Sequence, residues 1–146
     1  MRDMPPARVK VLTPEQAAYI AGLVDGEGTI TLTSEHRGER RRLVVSIANT
    51  ELELLSFVLE TSGVGKITKK KTVRSEHTPS FAYRVSSRQA LALLTQIMPW
   101  LRSYKARRAE LALAQYTRLT PRNGKYSAEL DRQRAEFEAE FLAMRA

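Results

Sequence analysis

The order of apolar and polar residues along the chain predicts a series of helices and strands. A first helix begins near Pro14, because Thr13 supplies an N-cap hydroxyl and Gln16 stands where it can complete a capping box. From residue 17 to residue 24 this helix carries no charged residue and is apolar all round. We expect one face to pack on its own sheet and the other to need a partner.

After the first helix, apolar and polar residues alternate with a period of two, which predicts a β-hairpin. Residues 29–33 alternate strictly, with Ile30 and Leu32 on one face and three threonines on the other. A turn near residues 36–40 leads to a returning strand at residues 42–48. Asn49-Thr50-Glu51 is then a cap sequence for a helix with a broad apolar face.

The second half of the chain repeats this pattern. Gly63-Val64-Gly65 breaks the second helix and introduces a lysine-rich strand at residues 66–74, which pairs with a strand at 80–85. Ser86 or Ser87 caps a short helix that ends at Pro99. Further helices are predicted at about 100–117 and, after a turn, at about 126–145.

The resulting order αββαββα predicts an α+β fold. Its antiparallel four-stranded sheet has helices gathered on one face, with C-terminal helices added. We expect one domain over residues 1–146, with a core at about 12–118 and the last helix at about 126–145, because 146 residues are too few for two ordinary domains.

Charge then narrows the class of partner. The formal net charge is +8 and the pI is about 10.1, which indicates that the binding partner is a polyanion. We expect this partner to be nucleic acid rather than an anionic membrane. The first 125 residues hold 21 Lys and Arg against 11 Asp and Glu, whereas the last 21 residues hold three against five. We therefore expect the polyanion to face the body of the protein and not its C-terminal helix.

Two further features of the sequence argue against a membrane or secreted protein and against a cysteine-based metal site. The chain has no apolar run as long as the roughly 20 residues of a membrane span and no secretory signal at Met1, so we expect a soluble intracellular protein of the cytoplasm or an organelle. Cysteine is absent, which excludes disulfides and thiolate zinc sites. The two histidines, His36 and His77, stand in polar loop contexts and are interpreted as solvated side chains.

The end of the first helix is the most informative stretch. Ile20-Ala21-Gly22-Leu23-Val24-Asp25-Gly26-Glu27-Gly28 places two carboxylates between glycines, an arrangement typical of a metal site at a helix end. This nonapeptide resembles the signature of the LAGLIDADG homing endonucleases. The resemblance extends in element order over about residues 14–117, with Asn49-Thr50-Glu51-Leu52-Glu53-Leu54-Leu55 as a weaker family feature.

The resemblance implies roles for individual residues. Glu27 matches the family's metal-ligand position and is expected to bind Mg²⁺ together with the main-chain carbonyl of Gly26. Lys105 is similar to the family's basic active-site residue, although phosphate binding beside neighbouring arginines is an equal alternative. Asn49 matches a position that orients solvent, where the family more often has Gln.

The outward face of the predicted sheet is the candidate DNA surface. A ribbon of antiparallel strands fits the major groove, and its outward side chains read the bases. Ordinary β-propensity and a charge-protected edge strand are alternative explanations of the threonines and lysines. The loop arginines at 37, 40 and 41 are expected on phosphates. The candidate DNA contacts are Thr29, Thr31, Thr33, Arg37, Arg40, Arg41, Arg42, Ser46, Lys66, Thr68, Lys70, Arg74 and Arg84.

The motif occurs once, so a site for cutting both strands requires two copies of the chain. A homodimer also covers the second face of the apolar helix, and its expected target is a long pseudo-palindromic duplex. The expected interface residues are small ones on the helix together with the first motif carboxylate: Ala17, Ala18, Ala21, Gly22 and Asp25.

These patterns favour a magnesium-dependent, site-specific endonuclease that acts on double-stranded DNA as a homodimer. The alternatives are a non-cleaving DNA-binding protein or an RNA maturase of the same fold, and a monomeric basic protein that binds ribosomal RNA without regard to sequence. Other nuclease signatures and the phosphate-binding GxxxxGK[ST] loop are absent from the sequence.

Overall fold

The computed structural model describes residues 8–36, 38–70 and 78–146. It confirms the order αββαββα followed by C-terminal helices. The elements are α1 (Pro14–Glu27), β1 (Gly28–Thr33), β2 (Arg42–Asn49), α2 (Leu52–Ser62), β3 (Lys66–Lys70), β4 (Ser80–Ser86), α3 (Ser87–Ile97), a 3₁₀ turn (Met98–Trp100), α4 (Lys105–Gln115) and α5 (Ala128–Ala143).

The first helix begins where its capping residues predict. The Thr13 hydroxyl accepts a hydrogen bond from the main-chain N–H of Gln16 at 3.1 Å, and the Gln16 side chain accepts one from the N–H of Thr13 at 2.9 Å. Two of the otherwise unpaired N–H groups of the first turn region are thereby satisfied.

The four strands form one antiparallel sheet in the order β1-β2-β4-β3. Alternation along β1, β2 and β4 directs alternate residues into the core, among them Ile30, Val45 and Tyr83, which are fully buried. The intervening residues form rows across the other face. One such row runs over all four strands: Thr29, Ser46, Arg84 and Lys66.

The core lies between the sheet and the helices, which confirms the predicted arrangement of helices on one face. Helices α1, α2 and α3 pack against the central strands, whereas α4 and α5 pack against β1. Tyr116, Phe137 and Phe141 join the last two helices by ring contacts with centroids 6.4 and 6.0 Å apart. The C-terminal helix is therefore part of the same core.

One local expectation differs from the structure. The helix predicted from residue 100 begins only at Lys105, because Pro99 continues the preceding helix as a 3₁₀ turn and Leu101 is extended. Gly26 lies inside α1, and Gly28 leaves the helix with extended backbone. The strand predicted at 66–74 is seen at Lys66–Lys70, and residues 71–77 lie outside the described ranges.

Arg37, Arg74 and His77 likewise lie outside the described residues. His36 is exposed, as its polar context predicts. No helix within the described ranges has the length and apolar character needed to cross a membrane.

Candidate functional site

The carboxylate of Glu27 stands at the last position of α1, where the chain turns directly into β1. The turn is tight because a Cβ at Gly28 would lie 2.8 Å from the Cα of Val24 and 2.9 Å from the main-chain oxygen of Ser46. The φ of Gly28 is −109°, so close approach to its neighbours, and not a special backbone conformation, requires glycine here. The helix end is thus held against β2, with Glu27 exposed.

Glu27 and Asn49 meet in one shallow depression. Its lining consists of Glu27, Ala48, Asn49, Thr50 and Ser80, and its volume is about 420 Å³. The side-chain Oδ1 of Asn49 accepts a hydrogen bond of 2.8 Å from the main-chain N–H of Glu51, so this side chain also shapes the turn into α2. Two of the three residues expected to act in catalysis are therefore brought together.

Lys105 binds the end of the same helix. Its ammonium donates hydrogen bonds of 2.9 Å to the carbonyl oxygen of Val24 and 2.8 Å to that of Asp25. These are carbonyls of the last turn of α1; that of Val24 also accepts the main-chain N–H of Gly28, and the cation complements the helix dipole. Burial lowers the pKa of Lys105 below its ordinary value, while the Asp25 carboxylate acts in the opposite direction. The structure thus assigns Lys105 a capping contact within the protein.

The Asp25 side chain is directed within its own subunit. Its carboxylate accepts hydrogen bonds from the N–H groups of Arg102 and Ser103, and from the Ser103 hydroxyl at 2.6 Å. Burial acts to raise the pKa of Asp25, but these donors and the charge of Lys105 outweigh it and lower the pKa below its ordinary value. Within the protomer, Asp25 anchors the segment that precedes α4; its place at a subunit interface stays a prediction.

The exposed face of α1 is narrower than the sequence predicts. Ala17 and Ala21 are buried in the protomer's own core, at 4% and 0% exposure, so the expectation that they contact a partner is wrong. Ala18 and Gly22 lie on the other side, and nothing lies within 4 Å of a Cβ built at Gly22. Tyr19, 47% exposed, flanks them and packs edge-on against Phe57.

The outward face of the sheet carries the predicted polar side chains. On the two central strands Ala48 pairs with Ala82, and these strands also carry Arg42 and Arg84 on this face, whereas the threonines and lysines lie on the edge strands. A shallow groove along this face is lined by Ser46, Thr68, Lys70 and Arg84 among others. The candidate contacts that lie on this face and are half-buried or exposed are Thr29, Thr31, Thr33, Arg42, Ser46, Lys66, Thr68, Lys70 and Arg84.

The two described loop arginines are attached to the C-terminal helix region and are not on a free loop tip. Arg40 stacks on the ring of Tyr126 at 3.6 Å and pairs with Asp131 at 2.9 Å. Arg41 donates to the carbonyl oxygen of Leu32 at 3.2 Å and lies 3.8 Å from the Glu138 carboxylate of α5. Both side chains are exposed, and their contact with phosphates stays a prediction; the sequence does not show that α5 packs beside β1.

Arg108, considered with Lys105 as a phosphate ligand, is a buried structural residue. Its guanidinium donates to the carbonyl oxygens of Ile30 at 2.8 Å and Met144 at 2.9 Å. Burial is the main cause that lowers its pKa from the ordinary arginine value. It connects β1 to the end of α5, whereas Arg102 and Arg107 are exposed.

The oxygen ligands at the C-terminal end of α1 suit a hard divalent cation, but they are few. Glu27 is a carboxylate and Gly26 offers a main-chain oxygen, which are the ligand types that Mg²⁺ prefers. Within the described ranges, no three carboxylate or imidazole side chains come together as a metal cluster. A single protomer therefore supplies one side-chain ligand of the expected kind.

Sequence reasoning missed Glu35, a loop carboxylate beside the outward face. Its oxygen lies 2.6 Å from Arg42 and 3.9 Å from Arg84. The alternation of a β-strand predicts which face of the sheet a residue lies on only for residues within the strand. No feature of the sequence indicates that the connection between β1 and β2 brings Glu35 beside the outward face. Ser103 was also missed, and its position two residues before Lys105 was the available signal.

Comparison with known proteins agrees with the motif. A family model described as a LAGLIDADG-like domain matches residues 14–98. No curated protein matches the chain in sequence. The fold is similar to that of several solved homing endonucleases.

One such structure is the homing endonuclease I-CvuI in complex with its target in the presence of Ca, with TM-score 0.72, 18% identity, and coverage of 90% of this chain and 83% of that one. Another is the archaeal intron-encoded homing endonuclease I-Vdi141I complexed with DNA, with TM-score 0.67, 17% identity and coverage of 90% and 85%. A third is the LAGLIDADG homing endonuclease I-GzeII in complex with DNA, with TM-score 0.65, 15% identity and coverage of 93% and 45%. This chain thus spans a little under half of the third protein.

Proposed function

The chain belongs to the LAGLIDADG-like family, and on that premise we propose that it is a site-specific endonuclease that cleaves double-stranded DNA as a homodimer. The observation that carries the proposal is the placement of Glu27. Glu27, the exposed carboxylate at the end of the motif helix, lies in a depression with Asn49, next to a sheet whose outward face is lined by hydroxyls and cations.

The outward face supports duplex binding. Its rows of side chains cross four twisted antiparallel strands, a shape that enters the major groove. Thr29 and Ser46 offer hydroxyls, and Arg84 and Lys66 of the same row offer cations. The net charge of +8 strengthens association with phosphates in a salt-dependent way.

The exposed face of α1 supports a homodimer. Ala18 and Gly22 are small and leave room for a second helix to approach closely. A two-fold axis beside this face would bring two copies of Glu27 near each other and double the set of carboxylates. Because the dimer is symmetric, the expected target is pseudo-palindromic.

The chemistry is hydrolysis of a phosphodiester bond, with Mg²⁺ as the proposed cofactor. Glu27 and the Gly26 carbonyl would hold the cation, which supplies Lewis acidity at the scissile phosphate and assists the leaving 3′ oxygen. Asn49, in the same depression, is placed to orient water. Lys105 adds positive charge at this end of α1 and fixes the helix carbonyls, so that Glu27 keeps its position.

A cleavage assay tests the proposal. A plasmid library with random inserts is incubated with the protein in Mg²⁺ or in EDTA, and the ends of linear products are sequenced. We expect cutting at one related set of sites in Mg²⁺ only. Glu27→Gln should bind those sites but produce no linear DNA, whereas Glu53→Gln, which removes an exposed carboxylate on α2, should cut normally.

Two outcomes contradict the proposal. If no plasmid is cut although the protein retains particular duplexes, the chain is a non-cleaving binding protein of this fold. If Glu27→Gln cuts as fast as the parent protein, the active site lies elsewhere.

A further inference from the structure

A carboxylate stands at the edge of the basic sheet surface. Glu35, in the connection between β1 and β2, has its Oε1 atom 2.6 Å from Nη2 of Arg42 and 3.9 Å from Nη2 of Arg84. Arg42 begins β2, and Arg84 lies on the neighbouring strand β4. One loop residue therefore connects the outward cations of the two central strands.

Stability is a weak explanation of this arrangement. All three side chains are about half accessible, at 40%, 39% and 52% for Arg42, Arg84 and Glu35, and pairs in such surroundings contribute little to folding. A negative charge on this surface also opposes phosphate binding. A surface that needed only affinity for a polyanion would be better without Glu35.

The groups around Glu35 form a concave site and not an isolated pair. Glu35, Arg42 and Arg84 line a depression of about 350 Å³ together with Lys66, Ser86 and Gln89. Val44, which alternates with core residues on either side and pairs with Ser86, is only 3% exposed on this face. The side chains that surround Val44 thus cover it and pack closely.

We propose that Glu35 is a positioning residue for sequence recognition: it holds the guanidinium groups of Arg42 and Arg84 in the orientation that reads guanine in the major groove. This inference rests on the proposed duplex-binding function of the sheet. Arginine recognises guanine through two parallel hydrogen bonds to O6 and N7, which require a fixed guanidinium plane. A carboxylate in close ion-pair contact with one edge of the group, as Glu35 is with Arg42, restricts that plane and leaves the other N–H donors for the base; at 3.9 Å, Glu35 orients Arg84 through electrostatic attraction alone.

The consequence is a specific base preference. A flexible arginine loses conformational freedom when it binds a base, and prior orientation reduces that loss. In a homodimer the Glu35 sites occur twice, so the preferred guanines stand at symmetry-related positions of the two half-sites. Glu35 acts through the arginines and does not itself contact the DNA bases.

Selection from a duplex library with a randomised central segment tests this assignment. Binding is carried out in Ca²⁺, a cation that also takes oxygen ligands, and retained duplexes of the parent protein, Glu35→Gln, Arg42→Lys and Arg84→Lys are sequenced. Glu39→Gln is the matched control, since it removes one carboxylate from the same connection that does not pair with either arginine. Thermal melting of each variant shows whether it is folded.

We expect the parent protein to select guanine at fixed, symmetry-related positions. Each lysine substitution keeps the positive charge but removes the planar guanidinium group. It should therefore reduce the guanine preference about tenfold at the base position that the substituted arginine reads. Glu35→Gln should reduce the preference at those same positions and leave the other positions unchanged. Glu39→Gln should select the parent sequence.

Three results would overturn the assignment. If Glu35→Gln raises the affinity for all duplexes equally and leaves the selected sequence unchanged, Glu35 only reduces net charge. If it changes a cytosine position that neither lysine substitution affects, Glu35 contacts a base itself. If the parent protein selects no sequence, the proposed function fails as well, whereas a selected sequence that is independent of Glu35 leaves that function standing.

Discussion

The hydroxyl of Ser103 donates a hydrogen bond of 2.6 Å to Oδ1 of Asp25, and so connects the segment before α4 to the last turn of α1. Lys105 makes the opposite connection, from α4 back to the α1 carbonyls. The end of one helix and the start of another thus satisfy each other's unpaired groups. This reciprocal contact fixes the helix end that carries Glu27.

Removal of the Lys105 ammonium should destabilise the protein. Lys105→Met keeps much of the side-chain volume but removes the ammonium donor from the Asp25 carbonyl, and leaves the Val24 carbonyl with the Gly28 N–H alone. We expect a loss of about 1–3 kcal/mol in the free energy of unfolding, measured by urea denaturation. Lys69→Met, on the exposed edge strand, is the control for loss of one positive charge and should change the free energy little. Equal stability of Lys105→Met and the parent protein would show that the cap has no energetic role.

Asp25 should make stability depend on pH in the acid range. Hydrogen bonds to its carboxylate outweigh burial and lower its pKa in the folded state, so the unfolded chain binds this proton more readily. The stabilisation is complete above the unfolded pKa of about 3.9 and is lost as the pH falls through the folded pKa.

Urea denaturation of the parent protein and Asp25→Asn over the acid range measures this contribution. The difference between their free energies of unfolding should be constant near neutral pH and shrink below about pH 4. Glu53→Gln serves as a control and should follow the parent curve. A difference that does not vary with pH would mean that the Asp25 charge is unimportant.

The two glycines that flank Glu27 should respond oppositely to alanine. At Gly28 a methyl group would meet main-chain atoms of Val24 and Ser46, and we expect a loss of about 1–3 kcal/mol. At Gly26, inside the helix, nothing lies within 4 Å, so Gly26→Ala should stabilise by about 0.5–1 kcal/mol. Urea denaturation of the two variants compares them, and a tolerated Gly28→Ala would contradict the close approach.

A bulky residue on the exposed face of α1 should separate the proposed dimer. Gly22→Leu fits the isolated protomer, since its surroundings are empty there, but would stand between two paired helices. Sedimentation equilibrium should give a dimer for the parent protein and a monomer for Gly22→Leu. Ala92→Leu, at an exposed position of α3, should remain dimeric. A monomeric parent protein, or a dimeric Gly22→Leu, would exclude this interface.

Local sequence signals predict the elements of this fold well because each acts over a few residues. The Thr13–Gln16 box marks the start of α1, and strict alternation marks β1 and its inward residues. The order of elements and the position of Glu27 at a helix end follow from the same signals. Distant contacts are different, since they depend on how whole elements pack.

Arg40 and Lys105 show this limit. In the sequence both are basic residues near other basic residues, which indicates phosphate binding. Their actual partners, Tyr126 with Asp131 for Arg40 and the α1 carbonyls for Lys105, are about 80–90 positions away in the chain. Likewise, an apolar helix alone does not show which of its alanines faces its own sheet, and Ala17 and Ala21 prove to be core residues.

The row formed by Thr29, Ser46, Arg84 and Lys66 alternates along each strand with residues that build the hydrophobic core. In the proposed DNA-binding function, recognition and folding are therefore encoded by interleaved positions of the same strands. Substitutions in the row can accumulate without loss of core packing, so a lineage with this sheet can change its target while its fold persists. The alternation of a β-strand thereby gives this surface its capacity to evolve.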